Sequence, residues 1–185
     1  MASAREMRLR MRSVKNIAQV TKALETVSAS KVRRAVQLYT ATRPYAEKAW
    51  KLLLHLVRQP GGHDLHPLLT ERAQVNRVLV IMMSSDRGLA GAYNVNILRH
   101  TLQHFGNLSQ PASFVAVGRK GRDMLFRRRY PVEADYSDIP AAPSFADVSS
   151  IGRLVVDDFL SHKFDEVWVS YTEYESMLKQ EPNIR

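Results

Sequence analysis

The sequence contains no cysteine among its 185 residues, and glycine and proline contribute only eight residues each. Without cysteine there can be neither a disulfide framework nor thiolate chemistry, and this absence fits a reducing compartment. No apolar run approaches the roughly 20 residues that a membrane span requires. We therefore expect a soluble protein whose contact with any membrane is peripheral. Its length suits one ordinary domain, or a smaller domain with an extended arm.

Positive charge is concentrated in the first third of the chain. Residues 1–58 contain 13 lysines and arginines against three acidic residues, whereas residues 59–185 contain 14 against 15. The net charge of +9 therefore comes from a basic amino-terminal segment joined to a nearly neutral remainder. We expect the positive charge of this segment to serve contacts with surrounding molecules, and not contacts with the remainder of the chain.

The basic segment has the pattern of one long helix. Between Ala2 and Val57 it contains no glycine and a single proline, Pro44, which removes one backbone donor and allows a kink. At about 1.5 Å per residue such a helix is about 80 Å long, so it needs a partner helix or a surrounding cavity. Apolar or small residues at steps of three and four form a narrow stripe typical of a coiled-coil seam: Met7, Met11, Val14, Ile17, Thr21, Leu24, Ser28, Val32, Ala35 and Tyr39. The Gln59–Gly62 run is predicted to end the helix.

The remainder alternates short apolar segments with helical patterns. We predict strands at 75–83, 113–117, 132–136 and 166–171 and helices at 89–105, 120–129 and 145–162, the last capped by Asp147 or Ser149. No element is assigned to residues 175–185. The alternation implies right-handed crossovers in an open sheet. The predicted fold class is α/β: a long amino-terminal coiled-coil helix (1–58), a connector (59–74) and a Rossmann-like open sheet with flanking helices (75–185).

Two glycine-containing segments could bind phosphate. The segment Gly88–Gly91 follows a predicted strand and precedes a helix, where bare amides bind anions, but it fits neither G-x-G-x-x-G nor G-x-x-x-x-G-K-[ST]. We predict a structural turn there, with Asp86 and Arg87 pairing locally or capping the helix. Gly118–Gly121 has the G-x-x-G spacing of a KH loop, but the surrounding strand and helix order is wrong for that module.

Histidine and carboxylate pairs could suggest metal binding or acid-base catalysis. His100 and His104 are four residues apart on a predicted helix, without the intervening glutamate of H-E-x-x-H or a third ligand. We interpret them as surface histidines, and His63–His66 as part of a solvated loop. The adjacent pairs Asp157-Asp158 and Asp165-Glu166 point in divergent directions, which suits acid-base chemistry poorly. We therefore predict no catalytic residue, no metal site and no cofactor.

Three blocks resemble the gamma subunit of F-type rotary ATP synthases. They are Arg12–Ile17, continued by Thr21–Glu25 and Ala29–Ala35; Ser84–Asn94; and Gly118–Gly121. Their order and spacing follow the family, and the similarity runs over the whole chain, which corresponds to the amino-terminal two-thirds of such a subunit. Gamma subunits continue beyond this point and end with a second long helix that pairs antiparallel with the first. That helix is absent from this sequence, so the expected fold lacks the partner of the apolar stripe.

The resemblance implies a central-stalk rotor. Such a subunit couples ion flow through the membrane c-ring to ATP synthesis or hydrolysis in the catalytic subunits and has no catalytic residues of its own. Its expected partners are the alpha and beta ring subunits, the epsilon subunit and the c-ring, on the cytoplasmic face of a bacterial cell membrane. Expected rotor-stator contacts are Arg8, Arg10, Arg12, Lys15, Lys22, Leu24, Lys31, Arg33 and Arg34. Ser85, Asp86, Arg87, Gly88 and Gly91 are expected to form a structural turn or interface.

Two alternatives belong to other functional classes. A basic helix attached to a small α/β domain could neutralise nucleic-acid phosphates, and composition alone favours this interpretation. Against it, the aromatic residues of the arm, Tyr39, Tyr45 and Trp50, cluster at one end and do not interleave with the basic residues. The second alternative, a Rossmann-type enzyme acting on a small molecule, lacks a phosphate-binding fingerprint. We therefore expect no nucleic-acid partner.

Overall fold

One helix makes up almost all of the first of the two units into which the chain divides. The computed structural model describes residues 3–61, 66–70, 72–106, 108 and 110–185, and the two units are Met1–His55 and Leu56–Arg185. The helix α1 (Ala4–Arg58) continues through Pro44. None of its described residues is buried, and Ile17 in the apolar stripe is 62% exposed. The predicted long helix is confirmed, and its stripe is open to solvent.

The second unit is an α/β layer structure with a five-stranded sheet. Its strands are β1 (Val78–Met83), β2 (Ala112–Val117), β3 (Val132–Tyr136), β4 (Glu166–Tyr174) and β5 (Gln180–Ile184), and its helices are α2 (Tyr93–Phe105), α3 (Arg119–Arg127) and α4 (Phe145–Leu160). The strand order is β3-β2-β1-β4-β5. All neighbouring pairs are parallel except β4 and β5, which are antiparallel. The winding direction reverses between β1 and β4, and the predicted open α/β sheet is confirmed.

The sheet is buried on both faces by its helices. Val78, Val80 and Met82 of β1 pack with Phe114 of β2 against α2 and α3. The alternate β1 residues, Leu79 and Ile81, face α4 in a second cluster. Side chains alternate between the faces of a strand, so a strand covered on both sides must be apolar throughout. The apolar segment that was predicted as a strand at residues 75–83 is this central strand, β1.

The structure corrects the predicted limits of several elements. The first strand begins at Val78 and not at residue 75, and α2 begins at Tyr93 and not at residue 89. Helix geometry cannot start at 89 because Leu89 and Gly91 have positive φ angles of 61° and 55°. The cap predicted for α4 is also wrong: Ser144 is the N-cap, and Asp147 completes a capping box with it.

The strand β5 is missing from the sequence prediction. Its residues, QEPNI, include one branched apolar side chain and a proline, so they show no alternation. Proline in a sheet is confined largely to edge strands, and Pro182 pairs with Thr172 in the antiparallel ladder at one edge of this sheet. Tertiary pairing with β4, and not local preference, forms this strand.

Asp165 fastens the segment before β1 to the start of β4. Its Oδ2 accepts hydrogen bonds from the backbone N–H groups of Asn76 and Arg77 at 2.9 and 3.1 Å. Arg72 lies 3.7 Å from the same carboxylate. The hydrogen bonds from Asn76 and Arg77, helped by the arginine charges, hold the pKa of Asp165 below its ordinary value of 3.8.

Acidification should therefore release the Asp165 contact. A carboxylate with a lowered folded-state pKa contributes stability that is complete above the unfolded-state value and is lost as pH falls through the folded-state value. We expect Asp165→Asn to lower the urea midpoint at pH 7, and the difference from the unsubstituted chain to shrink below about pH 4. Asp157→Asn, at an exposed position of α4, is the matched control and should have no effect. A difference that stays constant down to pH 3 would exclude a role for the Asp165 charge.

Candidate functional site

The loop between β1 and α2, residues 84–92, is fixed at its base by Ser84. The Ser84 hydroxyl accepts a hydrogen bond from the backbone N–H of Gly121 at 2.8 Å. It also lies 3.1 Å from the carbonyl oxygen of Val117 and 3.0 Å from that of Gly118, either of which can accept its proton. These contacts join the carboxyl end of β1 to the junction between β2 and α3.

The two glycines of that junction are required by close packing. A Cβ atom on Gly118 would lie 2.4 Å from the Ser84 carbonyl oxygen, and Gly118 has a φ angle of 100°. A Cβ atom on Gly121 would lie 2.5 Å from the Ser84 hydroxyl oxygen and 2.8 Å from Cε of Met82. All three distances are shorter than real Cβ contacts allow. The G-x-x-G spacing therefore has a packing explanation in the contact of α3 with β1.

Asp86 joins three loops at the carboxyl edge of the sheet. Its Oδ1 accepts backbone hydrogen bonds from Arg119 at the start of α3 and from Asp138 after β3, both at 3.0 Å. Partial burial acts to raise the pKa of Asp86, but the N–H groups of Asp138 and Arg119 and the charges of Arg119 and Arg87 bring the pKa below its ordinary value. Asp86 thus binds the amino terminus of α3, and not that of α2, which directly follows its own loop.

Removing the Asp86 carboxylate should loosen this edge of the sheet. We expect Asp86→Ala to lower the free energy of unfolding by about 1 to 2 kcal/mol, because two backbone donors lose their charged acceptor. Asp86→Asn keeps an acceptor oxygen and should lose less. Urea denaturation of both variants measures the effect, and equal stability of Asp86→Ala and the unsubstituted chain would contradict the assignment.

The tip of the loop projects into solvent from this fixed base. Ser85 accepts and donates hydrogen bonds with the Asn94 side chain at 2.8 to 3.0 Å. Arg87, Gly88 and the left-handed Leu89 are exposed, and the Leu89 side chain is fully so. The five predicted turn residues Ser85, Asp86, Arg87, Gly88 and Gly91 therefore lie in one loop with a rigid base and an exposed tip. Ser84 and Asn94, the side chains that fix this base, were not predicted from the sequence.

The predicted rotor-stator residues divide into two groups on α1. At about 100° per residue, the side chains of one basic group leave the helix within about 80° of each other; its members are Arg8, Arg12, Lys15, Lys22 and Arg33. At the same spacing Arg10 and Leu24 lie within the apolar stripe, Lys31 lies at its edge, and Arg34 lies between the stripe and the basic group. All nine residues are exposed. Within the described part of the chain, Arg10 is the one member that forms an ion pair, with Glu6 at 2.6 Å.

The remaining polar pairs have local structural contacts. The His104 ring packs edge-on against Phe105 and at a tilt against Trp168, with ring centroids 4.7 and 5.9 Å apart. Asp158 pairs with Lys163 at 3.1 Å. Of the segment 63–66, the described residue His66 accepts a hydrogen bond from the backbone of the next turn, and residues 63–65 lie outside the described residues. No group of three His, Asp or Glu side chains that could hold a metal occurs among the residues described.

In the described ranges, no helix is both long enough and apolar enough to cross a bilayer.

The sequence matches a known family along nearly its whole length. The family described as ATP synthase matches residues 3–185. The ATP synthase gamma chain of Desulforamulus reducens is 40% identical over 182 residues, which cover 98% of this chain and 63% of the relative. That of Roseiflexus castenholzii is 39% identical over 188 residues, covering all of this chain and 65% of the relative. The chain thus spans just under two thirds of the length of these curated relatives.

Two solved structures share the fold. The central stalk and c-ring structure of the Tetrahymena thermophila mitochondrial ATP synthase matches with a TM-score of 0.70 at 21% identity, covering 90% of this chain and 70% of the matched chain. The Euglena gracilis mitochondrial ATP synthase matches with a TM-score of 0.63 at 19% identity, covering 98% and 55%. At these identities the likeness establishes the fold. The matches give no support to the nucleic-acid-binding alternative.

Proposed function

Because the chain belongs to the ATP synthase gamma-chain family, we propose that it acts as the central-stalk rotor of an F-type ATP synthase. In this role it couples ion flow through a membrane c-ring to ATP synthesis or hydrolysis in the catalytic subunits. It contributes no catalytic residue and binds no cofactor. The alpha and beta ring subunits, the epsilon subunit and the c-ring are its proposed partners, on the cytoplasmic face of a bacterial membrane.

The helix α1 is the observation that carries this proposal. It has 55 residues, none of those described is buried, and it presents an apolar stripe on one side and a basic group on another. An exposed stripe of this kind is stable in water only when another surface covers it. A partner helix along the stripe would leave the basic group facing outward, toward a surrounding ring. We assign residues 1–58 to the shaft, 59–74 to a connector and 75–185 to the foot.

Torque transfer through such a shaft requires differential contact between rotor and ring. Rotation of a rigid, asymmetric shaft changes which catalytic subunit it touches, and those contacts bias each site toward a different affinity. Exposed ion pairs of about 0 to 1 kcal/mol each attract the shaft without locking it in one orientation. The loop 84–92, with Arg87 and Leu89 at its tip, is a second surface proposed to reach the ring subunits.

The electrostatic part of the proposal is tested by neutralising three lysines of α1. We expect Lys15→Gln, Lys22→Gln and Lys31→Gln together to lower coupled ATPase activity in a reconstituted complex by about two- to tenfold. The matched control replaces Lys48, Lys51 and Arg58 by glutamine. These residues lie on the same helix outside the predicted contact set, so the control variant should retain activity. Unchanged coupled activity in the Lys15, Lys22 and Lys31 variant would show that these charges make no functional contact with the ring subunits.

The function itself is tested by reconstitution with alpha and beta subunits. The chain is compared with a version extended by the carboxyl-terminal third of the Desulforamulus reducens gamma chain. Size exclusion and steady-state ATPase activity are measured for both. We expect a stable complex with activated hydrolysis from the extended chain. If neither version associates with the ring, the rotor proposal is wrong.

A further inference from the structure

A run of three arginines lies in the turn at the end of α3. Phe126, Arg127, Arg128 and Arg129 are all exposed, and Phe126 is 56% exposed despite its size. Backbone N–H groups of Arg128 and Arg129 donate to the carbonyls of Leu125 and Phe126, both at 3.0 Å. Because Leu125 is fully buried in the core, the backbone that displays the arginines is fixed. These four residues are called the arginine patch.

The structure shows no acidic partner for the arginine patch in the parts of the chain that it describes. Among the described residues, none of its three guanidinium groups forms an ion pair, whereas the nearby acids are already engaged. Asp123 pairs with Arg122 at 2.9 Å, and Glu133 pairs with Lys163 at 3.0 Å. The positive charge of the patch is therefore available to an external anion.

Stabilisation of the helix end does not account for the whole patch. A cation in the last turn interacts favourably with the helix dipole, and Arg127 alone supplies one. Arg129 has a φ angle of 60°, a conformation in which glycine or asparagine is the less strained choice after a helix. Arg129, beside an exposed phenylalanine, therefore adds positive charge to the surface and does not stabilise the fold.

A groove of about 400 Å³ lies along α2, and Arg128 of the arginine patch is among its lining residues. Two arginines, Arg99 and Arg128, line it. Paired guanidinium groups suit phosphate oxygens because each offers a planar set of N–H donors. The other lining residues are mostly apolar: Val95, Leu98, Leu102 and Gln103. The surface therefore combines phosphate-binding groups with apolar side chains.

We propose that the arginine patch and this groove bind anionic phospholipid headgroups at a membrane surface. Arginines beside an exposed aromatic residue and an apolar groove match the interfacial region of a bilayer, where phosphates and acyl chains meet. A nucleic acid would offer the same phosphates, and the choice of a membrane rests on the proposed function, which places the chain beside a lipid bilayer. Contact with lipid would hold the foot against the membrane in addition to its protein partners.

Vesicle binding by the whole chain tests this inference. Each basic residue near an anionic surface contributes about fivefold in affinity, so Arg127→Gln, Arg128→Gln and Arg129→Gln together should weaken binding to phosphatidylglycerol-containing vesicles about 100-fold. The basic α1 also attracts anionic vesicles, so the control removes three charges there, by Lys48→Gln, Lys51→Gln and Arg58→Gln. We expect the control to lose less than about fivefold. Equal losses in the two triple variants would overturn the inference.

Labelling locates the contact on the surface. Since the chain has no cysteine, an environment-sensitive dye can be attached at Phe126→Cys and, for comparison, at Phe145→Cys at the exposed start of α4. Anionic vesicles should shift the emission at residue 126 and not at residue 145, and vesicles of phosphatidylcholine alone should shift neither. A shift with inorganic phosphate or a single-stranded oligonucleotide but not with vesicles would overturn the membrane assignment. Because no ring subunit is involved, failure here is distinct from failure of the rotor proposal.

Discussion

Gly118→Ala should be among the most destabilising single substitutions in the α/β unit, with an expected loss of about 3 to 5 kcal/mol of unfolding free energy. The new Cβ would lie 2.4 Å from the Ser84 carbonyl oxygen, and the φ angle of 100° disfavours any side chain. Relief would require β1 and the start of α3 to separate. Because domains of this size are stable by about 5 to 15 kcal/mol, the loss is a large fraction of the total stability.

The matched control for this substitution is Gly152→Ala in α4. A Cβ atom on Gly152 would meet nothing within 4 Å, so alanine should raise stability by about 0.5 to 1 kcal/mol through its better helix propensity. Urea denaturation followed by Trp168 fluorescence, in a Trp50→Phe background, reports on the α/β unit alone. If Gly118→Ala proved as stable as the unsubstituted chain, the close packing of Ser84 on Gly118 could not be correct.

The second large effect is expected on the apolar stripe of α1. Val14 and Ile17 are 64% and 62% exposed, so charged side chains there should not disturb the chain by itself. A partner helix would bury both, each contributing about 1.5 to 3 kcal/mol. Val14→Glu with Ile17→Glu should therefore weaken association with such a helix by at least about 100-fold.

A separate polypeptide containing the carboxyl-terminal third of the Desulforamulus reducens gamma chain supplies the partner for this measurement. Affinity is measured by titration calorimetry. Asn16→Glu with Gln19→Glu is the control, because it adds the same charge on the side of α1 away from the stripe. Equal weakening by both pairs of substitutions would show that the stripe is not the contact seam. Circular dichroism of each variant checks whether α1 stays helical, because unfolding of the helix would also weaken binding.

The sequence was sufficient to predict α1 and the central strand, since both follow from strong local signals. Fifty-five residues without glycine favour a helix regardless of their surroundings, and the branched run at β1 is buried on both faces. By contrast, β5 contains Pro182 and little apolar character, so only its pairing with β4 defines it. The start of α2 was misplaced because leucine rarely adopts the positive φ angle of Leu89, so the residue type gives no sign of it.

The two candidate sites also differ in how far the sequence could predict them. Exposure of the basic residues of α1 followed from the narrowness of the apolar stripe. The role of Asp86 could not be predicted from the sequence, because its partners Arg119 and Asp138 are distant in sequence and are brought together at one sheet edge. The assignment of the nine α1 residues to rotor-stator contacts stays a prediction.

Rotation is the most direct test of the central claim. The chain, extended by the carboxyl-terminal third of a gamma relative and labelled at Phe145→Cys, would be assembled with an immobilised alpha and beta ring and observed one molecule at a time during ATP hydrolysis. The rotor account predicts unidirectional, ATP-dependent rotation of the label. A complex that hydrolyses ATP while the bound chain remains stationary would contradict it.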